Sequence, residues 1–256
     1  MDMSSYDFCL ITHKIHGGGA EVAVKRLAKG LQQEGFSVAI FCLKNPEDKR
    51  SISGVSVFSP RNIRFRPAYF CVVIFFLLKV VAARKPRSFK LVCFQTDLNI
   101  LVIFMRLITA SRAKVYVCER SDPVQFPVNS FLRSLRFVFY RFAHRIICQT
   151  NHASFFFGKM LPRSEGRIFT CKNILDTHSS SVQARSARGR DEIKLACVGR
   201  LTKEKCTRDA IDFVLIGQSL GYPCSLDIIG SGDEYTDLQN YIVSKDVTLS
   251  VRLCGH

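Results

Sequence analysis

Short, largely apolar runs alternate along this chain with longer segments of helical period. Residues 8–12, 37–43, 91–94, 113–118 and 145–149 are rich in β-branched and aromatic side chains and too short to be helices. Between them, segments such as 20–34 place apolar residues at helical spacing, with Val22, Leu27 and Leu31 set to share a face. This alternation predicts a doubly wound α/β domain around a parallel sheet. Runs that are apolar throughout predict strands covered on both faces.

From residue 176 to 192 the texture changes to Ser, Arg, Gly and Gln (DTHSSSVQARSARGRDE), with hardly an apolar anchor, and reads as a linker. Alternation then restarts: a strand over 193–198, a helix over about 205–220, a strand over 225–229, Gly230-Ser231-Gly232, a helix over about 234–244 and a strand over 249–254. The chain therefore divides into an α/β domain over residues 1–176, a linker over 177–192 and a second α/β domain over 193–256 that is incomplete, with three strands and two helices.

Charge separates the two parts. The net charge of +16 hides a first segment, 1–190, with 30 Lys/Arg against 11 Asp/Glu, and a second, 191–256, with 7 against 10. A basic first segment suits nucleic acid, an anionic membrane surface or a polyanionic substrate, because one screened attraction holds all three. Nucleic acid is disfavoured, since the aromatics lie inside apolar runs and form no interleaved stacking platform. Residues 69–83 (YFCVVIFFLLKVVAA) fall short of the roughly 20 needed to span a bilayer and contain Lys79. With Arg61, Arg64 and Arg66 before them and Arg84, Lys85, Arg87 and Lys90 after, they read as a buried or membrane-apposed helix.

The 11 cysteines are odd in number and form no CxxC pair; Cys9, Cys42, Cys93, Cys118, Cys148 and Cys197 sit in apolar runs. They read as small buried hydrophobes of a reduced cytoplasmic protein, not as a disulfide frame or zinc site. No signal peptide is read at the start, where residues 1–7 are polar. No cluster has metal-ligand spacing, and His144, His152 and His178 read as structural or surface residues.

Three turns carry candidate chemistry. After the first strand, Gly17-Gly18-Gly19 precedes a helix, where glycines let backbone approach a ligand and helix N–H groups face it. The spacing is not GxGxxG, so nicotinamide binding is disfavoured. After residues 113–118, Glu119 and Arg120 place a carboxylate and a guanidinium at the same sheet edge, open either to a site or to a local ion pair. Arg133, Arg136, Arg141 and Arg145 alternate with Phe and Leu as a basic amphipathic helix. In the second domain, 195–198 ends in Gly199-Arg200 and reaches Lys205 five residues on. Two cations at a strand-to-helix turn suit a phosphate, or they are simply solvated; spacing alone leaves both open. Gly230 and Gly232 repeat the strand-to-glycine pattern at the next turn.

In order, GGGAEVAVKRLAKGLQQEGFSVAIFCL, CERSDP, RFAHRIICQTNHA, KNILD, VGRLTKEK, LDIIGSGDE and VRLCGH resemble the family 4 glycosyltransferases, whose two Rossmann-like domains form the GT-B fold. The resemblance runs nearly end to end. The CERSDP segment is most similar to bacterial enzymes that extend lipid-linked oligosaccharides for surface polysaccharides. It implies a nucleotide-sugar donor, a UDP-sugar, held by the second domain through Gly199, Arg200, Lys205, Gly230 and Gly232. Arg200 and Lys205 match the pair that binds the diphosphate and stabilises it as a leaving group, with retention of configuration and neither metal nor resident cofactor. Gly17, Gly18 and Gly19 match the loop facing diphosphate and acceptor, with Glu119 and Arg120 nearby. The implied acceptor is a lipid-linked glycan, and the implied location is peripheral, on the inner face of the cell membrane.

Two departures stand out. Cys206 occupies the place after the lysine where the family usually has glycine. The family's two glutamates, seven residues apart in the later part of the second domain, have no counterpart before His256. The expectation is a truncated chain with weak or no turnover and an exposed sheet edge in its second domain. The rival expectation is a non-catalytic basic α/β module that grips an anionic membrane or a partner subunit.

Overall fold

The computed structural model describes residues 5–15, 18–43, 54–59, 74–75, 78–81, 89–124, 128–173 and 193–255. The chain divides into two compact units, Met1–Ser179 and Ser180–His256. The linker read over 177–192 and residue Gly17 lie outside the described residues, as do most of residues 69–83. Of that last stretch, Val80 and Val81 are fully buried in the core of the first unit. Among the described residues, no helix is long and apolar enough to cross a membrane.

The first unit holds a seven-stranded, wholly parallel sheet in the order β3-β2-β1-β4-β5-β6-β7. Its strands are β1 Phe8–Thr12, β2 Val38–Cys42, β3 Ser56–Phe58, β4 Lys90–Cys93, β5 Lys114–Glu119, β6 Arg145–Cys148 and β7 Ile168–Thr170. Every residue of β1 and β2 is buried, because helices cover both faces. Helix α1, Gly19–Gln33, covers one face, packing Val24 and Ala28 on Leu10, Val38, Ile40 and Val92. The other face is covered by α2, Thr96–Ile108, with Tyr140 and with Phe157 of α4, Asn151–Met160.

Several local expectations are corrected. Val22 is 46% exposed; the buried stripe of α1 runs instead through Glu21, Val24 and Ala28, flanked by Leu27 and Leu31. The basic helix is shorter than expected: α3 covers Ser130–Phe139, a 3-10 turn follows over Tyr140–Phe142, and Arg145 begins β6. Strands β3 and β7, three residues each, carry too little pattern to stand out in sequence.

The second unit is a parallel sheet in the order β10-β9-β8, formed by β8 Ile193–Val198, β9 Cys224–Ile229 and β10 Val251–Gly255. Helices α5, Thr207–Ser219, and α6, Tyr235–Ser244, both pack on one face through Ile211, Val214, Leu238 and Ile242. The opposite face is open, with Val198 74% exposed and the Asp227–Arg252 ion pair (2.8 Å) lying across it. Leu249, expected in the last strand, precedes it and is fully exposed.

Candidate functional site

In the first unit, β1 and β4 are neighbours whose following helices pack on opposite faces, so the strand order reverses there. Ligands of doubly wound sheets sit outside the carboxyl ends at such a point. Two bonds span it: Gln95 Nε2 donates to Thr12 Oγ1 (3.2 Å), and His13 Nε2 meets Asp97 Oδ2 at 2.7 Å. Burial acts to raise the Asp97 carboxyl, but the hydrogen bond and charge of His13, with the Leu98 N–H, outweigh it and hold Asp97 below the usual range. Neither His13 nor Asp97 stands in a sequence pattern that marks it as functional; they are 84 residues apart.

The N-terminus of α1 opens beside this crevice. Gly18 is its N-cap, in extended backbone, and no side chain caps the helix. A Cβ on Gly19 would meet nothing within 4 Å, whereas one on Gly18 would meet the Glu21 carboxylate at 2.7 Å. The first turn thus has open space at Gly19 and the buried Glu21 carboxylate against Gly18.

Arg120 follows β5 on the α1 side of the sheet. Its Nη2 donates to Asn173 Oδ1 (2.9 Å) and to Gln149 Oε1 (3.0 Å), and Gln149 Nε2 donates to the Arg120 carbonyl (2.8 Å), the amide orientation that satisfies both ends of Gln149. These three residues follow β5, β6 and β7 and border a cleft of about 100 Å³, whose apolar wall includes Ala23, Leu27, Phe94 and Ile147. Burial lowers the Arg120 guanidinium, opposed in part by nearby groups that include Glu21. Gln149 and Asn173 belong to the QTNHA and KNILD segments, but only the fold shows that they hold Arg120.

Glu119 stands at the same sheet edge as Arg120, as the sequence placed it, but its carboxylate turns elsewhere. It is the last residue of β5, 4% exposed, and strand alternation turns it to the face opposite Arg120, so no ion pair joins the two. Tyr140 donates its hydroxyl to Glu119 Oε1, Thr96 donates at 3.3 Å, and Arg136 Nη1 lies 3.9 Å from Oε2. Arg136 is itself buried, its guanidinium 5.1 Å from the Phe157 ring and 5.5 Å from that of Phe137. Asn99 donates to the Tyr140 oxygen (2.8 Å). Burial raises the Glu119 carboxyl, against Tyr140 and Arg136, which lower it. This carboxylate braces the end of β5 from beneath.

In the second unit, the turn after β8 carries Arg200 and Lys205, both exposed. The N–H groups of Gly199 and Leu201 donate to the carbonyls of Ile229 (3.0 Å) and Ser231 (2.9 Å); that of Arg200, between them, has no acceptor among the described residues. Neither makes an ion pair among the described residues. Glu204 is held below its ordinary value by the Thr202 hydroxyl first and then by the charges of Arg200 and Lys205. Lys205 ends a 3-10 turn, Lys203–Lys205, and Cys206 follows in the left-handed region (φ 50°, ψ 41°) as the N-cap of α5. Gly230 and Gly232 serve the neighbouring backbone: a Cβ on either would overlap the carbonyl oxygen of Gly199 or of Leu201. Their missing side chains are taken up by the β8 turn.

Among the described residues, no group of three His, Cys, Asp or Glu side chains could hold a metal ion. Of the histidines singled out earlier, His144 accepts from the Val115 N–H (3.3 Å) and His152 pairs with Asp122 (2.8 Å); His178 lies outside the described residues.

A parallel sheet with its switch point at β1 and β4, followed by a second parallel α/β unit, defines a protein of the two-domain Rossmann-like class. Residues 17–178 match the Glycosyltransferase Family 4 model, and the chain belongs to that family. Solved structures place its fold as GT-B. The lipopolysaccharide outer core galactosyltransferase WaaB in its apo form is 13% identical, with a TM-score of 0.66, over 97% of this chain and 67% of that one. HepE of Anabaena with UDP-glucose is 12% identical, with a TM-score of 0.71, over 97% and 68%. TarM is 8% identical, with a TM-score of 0.74, over 99% and 77%. No curated protein sequence matches the chain.

Proposed function

We propose that this chain transfers a sugar from a nucleotide-sugar, a UDP-sugar, to a lipid-linked glycan acceptor with retention of configuration, in surface polysaccharide synthesis. The observation that carries the donor side is the placing of Arg200 and Lys205 on one turn after β8, beside an Arg200 N–H with no acceptor among the described residues. A diphosphate there would be held by fixed positive charge as it departs, which is how a transferase without a metal meets leaving-group charge.

The acceptor reading rests on the switch-point crevice of the first unit, with Gly18, Gly19 and Arg120 at its rim. The UDP-sugar reading is supported by HepE, whose solved complexes contain UDP-glucose, and the surface-polysaccharide role by WaaB, a lipopolysaccharide galactosyltransferase. The excess of basic residues in 1–190 supports peripheral attachment to the inner face of the cell membrane.

Calorimetric titration of UDP and UDP-glucose into the full chain tests the donor side, and a panel of UDP-sugars with membrane-extracted glycolipid acceptors tests transfer. Saturable UDP binding that falls about tenfold or more in Arg200→Ala and in Lys205→Ala is expected, each removing a charge-assisted bond. Binding indifferent to both substitutions would sink the reading.

A further inference from the structure

A second cationic centre lies at the opposite edge of the first sheet, where β5, β6 and β7 begin. It is a strand's length, roughly 10–15 Å at ~3.3 Å per residue, from the carboxyl edge that holds Arg120. There the turn Tyr140–Phe142 and the turn Pro162–Arg167 border a cavity of about 440 Å³. Arg141, Arg163 and Arg167 line it, with Ser164 and an apolar wall that includes Met160 and Leu161. That volume falls within the range of small-molecule pockets.

The pocket is built. Arg167 Nη1 donates to the carbonyls of Arg141 (3.0 Å) and Ala143 (2.8 Å), and its Nη2 donates to Ser164 Oγ (2.6 Å). Ser164 is 2% exposed, so both turns are fastened to one guanidinium whose acceptors are all neutral. Arg167 makes no ion pair among the described residues. Arg141 and Arg163 are exposed and make no ion pair among the described residues.

The surrounding stretch of chain is strongly basic. Residues 123–175 carry eight Lys/Arg against a single acid, Glu165. His144, at the start of β6, is held below its usual value by burial first and then by Arg106, Lys114, Arg145 and Arg167, all cations. Cations gathered around a formed pocket repel one another, and a bound anion relieves that repulsion. Guanidinium forks match phosphate oxygens in pairs, and the Met160 and Leu161 wall suits the carbon body of an ester.

We propose that this pocket is a binding site for a phosphate ester, separate from the transfer site and independent of the transferase reading. Such a group could be presented by a lipid headgroup or by a soluble phosphorylated compound, and the two are told apart by experiment. The full chain carrying Arg200→Ala and Lys205→Ala, which removes the candidate donor clamp, is titrated with glycerol 3-phosphate. The same chain is floated with phosphatidylcholine vesicles with and without phosphatidic acid.

Saturable binding of at least one probe is expected, weakened about tenfold or more when Arg141→Gln and Arg163→Gln are added. Arg163→Gln alone, at an exposed turn position, should give an intermediate loss with an unchanged thermal midpoint. Titration without flotation assigns a soluble ester, and flotation dependent on phosphatidic acid assigns a lipid. If neither probe binds, or if binding ignores Arg141 and Arg163, the proposal is overturned.

Discussion

Gly230 lies against the carbonyl oxygen of Gly199, so close that a Cβ on Gly230 would overlap it, and its φ of 151° is one that other residues rarely adopt. The contact locks the turn after β9 onto the turn that carries Arg200. Gly230→Ala should therefore destabilise the second unit by about 2–4 kcal/mol through strain and overlap. Gly232→Ala, against the Leu201 carbonyl, should do likewise. Gly199→Ala meets nothing within 4 Å and should stay within about 0.5 kcal/mol of the parent. Chemical denaturation measures all three; a UDP affinity lost in Gly199→Ala at unchanged stability would mark Gly199 as the glycine a ligand approaches.

The backbone at Cys206 accounts for the glycine that the family resemblance implies at this place. Cys206 stands in the left-handed region, where a Cβ is strained and glycine is at ease. Cys206→Gly should raise stability by about 1 kcal/mol. An unchanged or lower urea midpoint would show that the bond from Cys206 Sγ to the Lys203 carbonyl (3.6 Å) offsets the strain.

Burial lifts the Glu119 carboxyl above its ordinary value of 4.5. The folded state then holds a proton that the unfolded state releases. This contribution to stability is complete below about pH 4.5 and is lost as pH rises through the raised folded value. Glu119→Gln keeps an acceptor for Tyr140 and removes the titration. The difference in unfolding free energy between parent and variant should change with pH in that window, and a flat difference would contradict the assignment.

The His13–Asp97 pair has the opposite sign. Asp97 is held below its ordinary 3.8, so its contribution is present above that value and fades as pH falls through the lower folded one. In His13→Gln the Asp97 carboxyl should titrate at a higher pH, as read by carboxyl carbon NMR. Both side chains are partly exposed, so the effect on global stability should be at most about 1 kcal/mol.

Much of the fold is legible from residue pattern. Residues 8–12 and 193–198 coincide with β1 and β8, and α1 differs from its expected span by one residue at each end. Burial on both faces makes a strand such as β1 apolar along nearly its whole length, a local signal. What was missed lacked one. β3 and β7 are short, and Arg136 reads as one more cation of a basic helix although it is 2% exposed beneath β5.

The sequence by itself determined the parallel α/β class, the turns that carry Gly18, Gly19, Arg200 and Lys205, and the family resemblance, because strand period, glycine and charge are written locally. Only the tertiary structure decided which groups act together. Adjacent Glu119 and Arg120 part to opposite faces by strand alternation, while Arg120 meets Gln149 and Asn173, 29 and 53 residues on, because β5, β6 and β7 lie side by side. The same ordering gathers Arg141, Arg163 and Arg167 around one pocket. Proximity in a sheet is set by strand order, which no local pattern encodes.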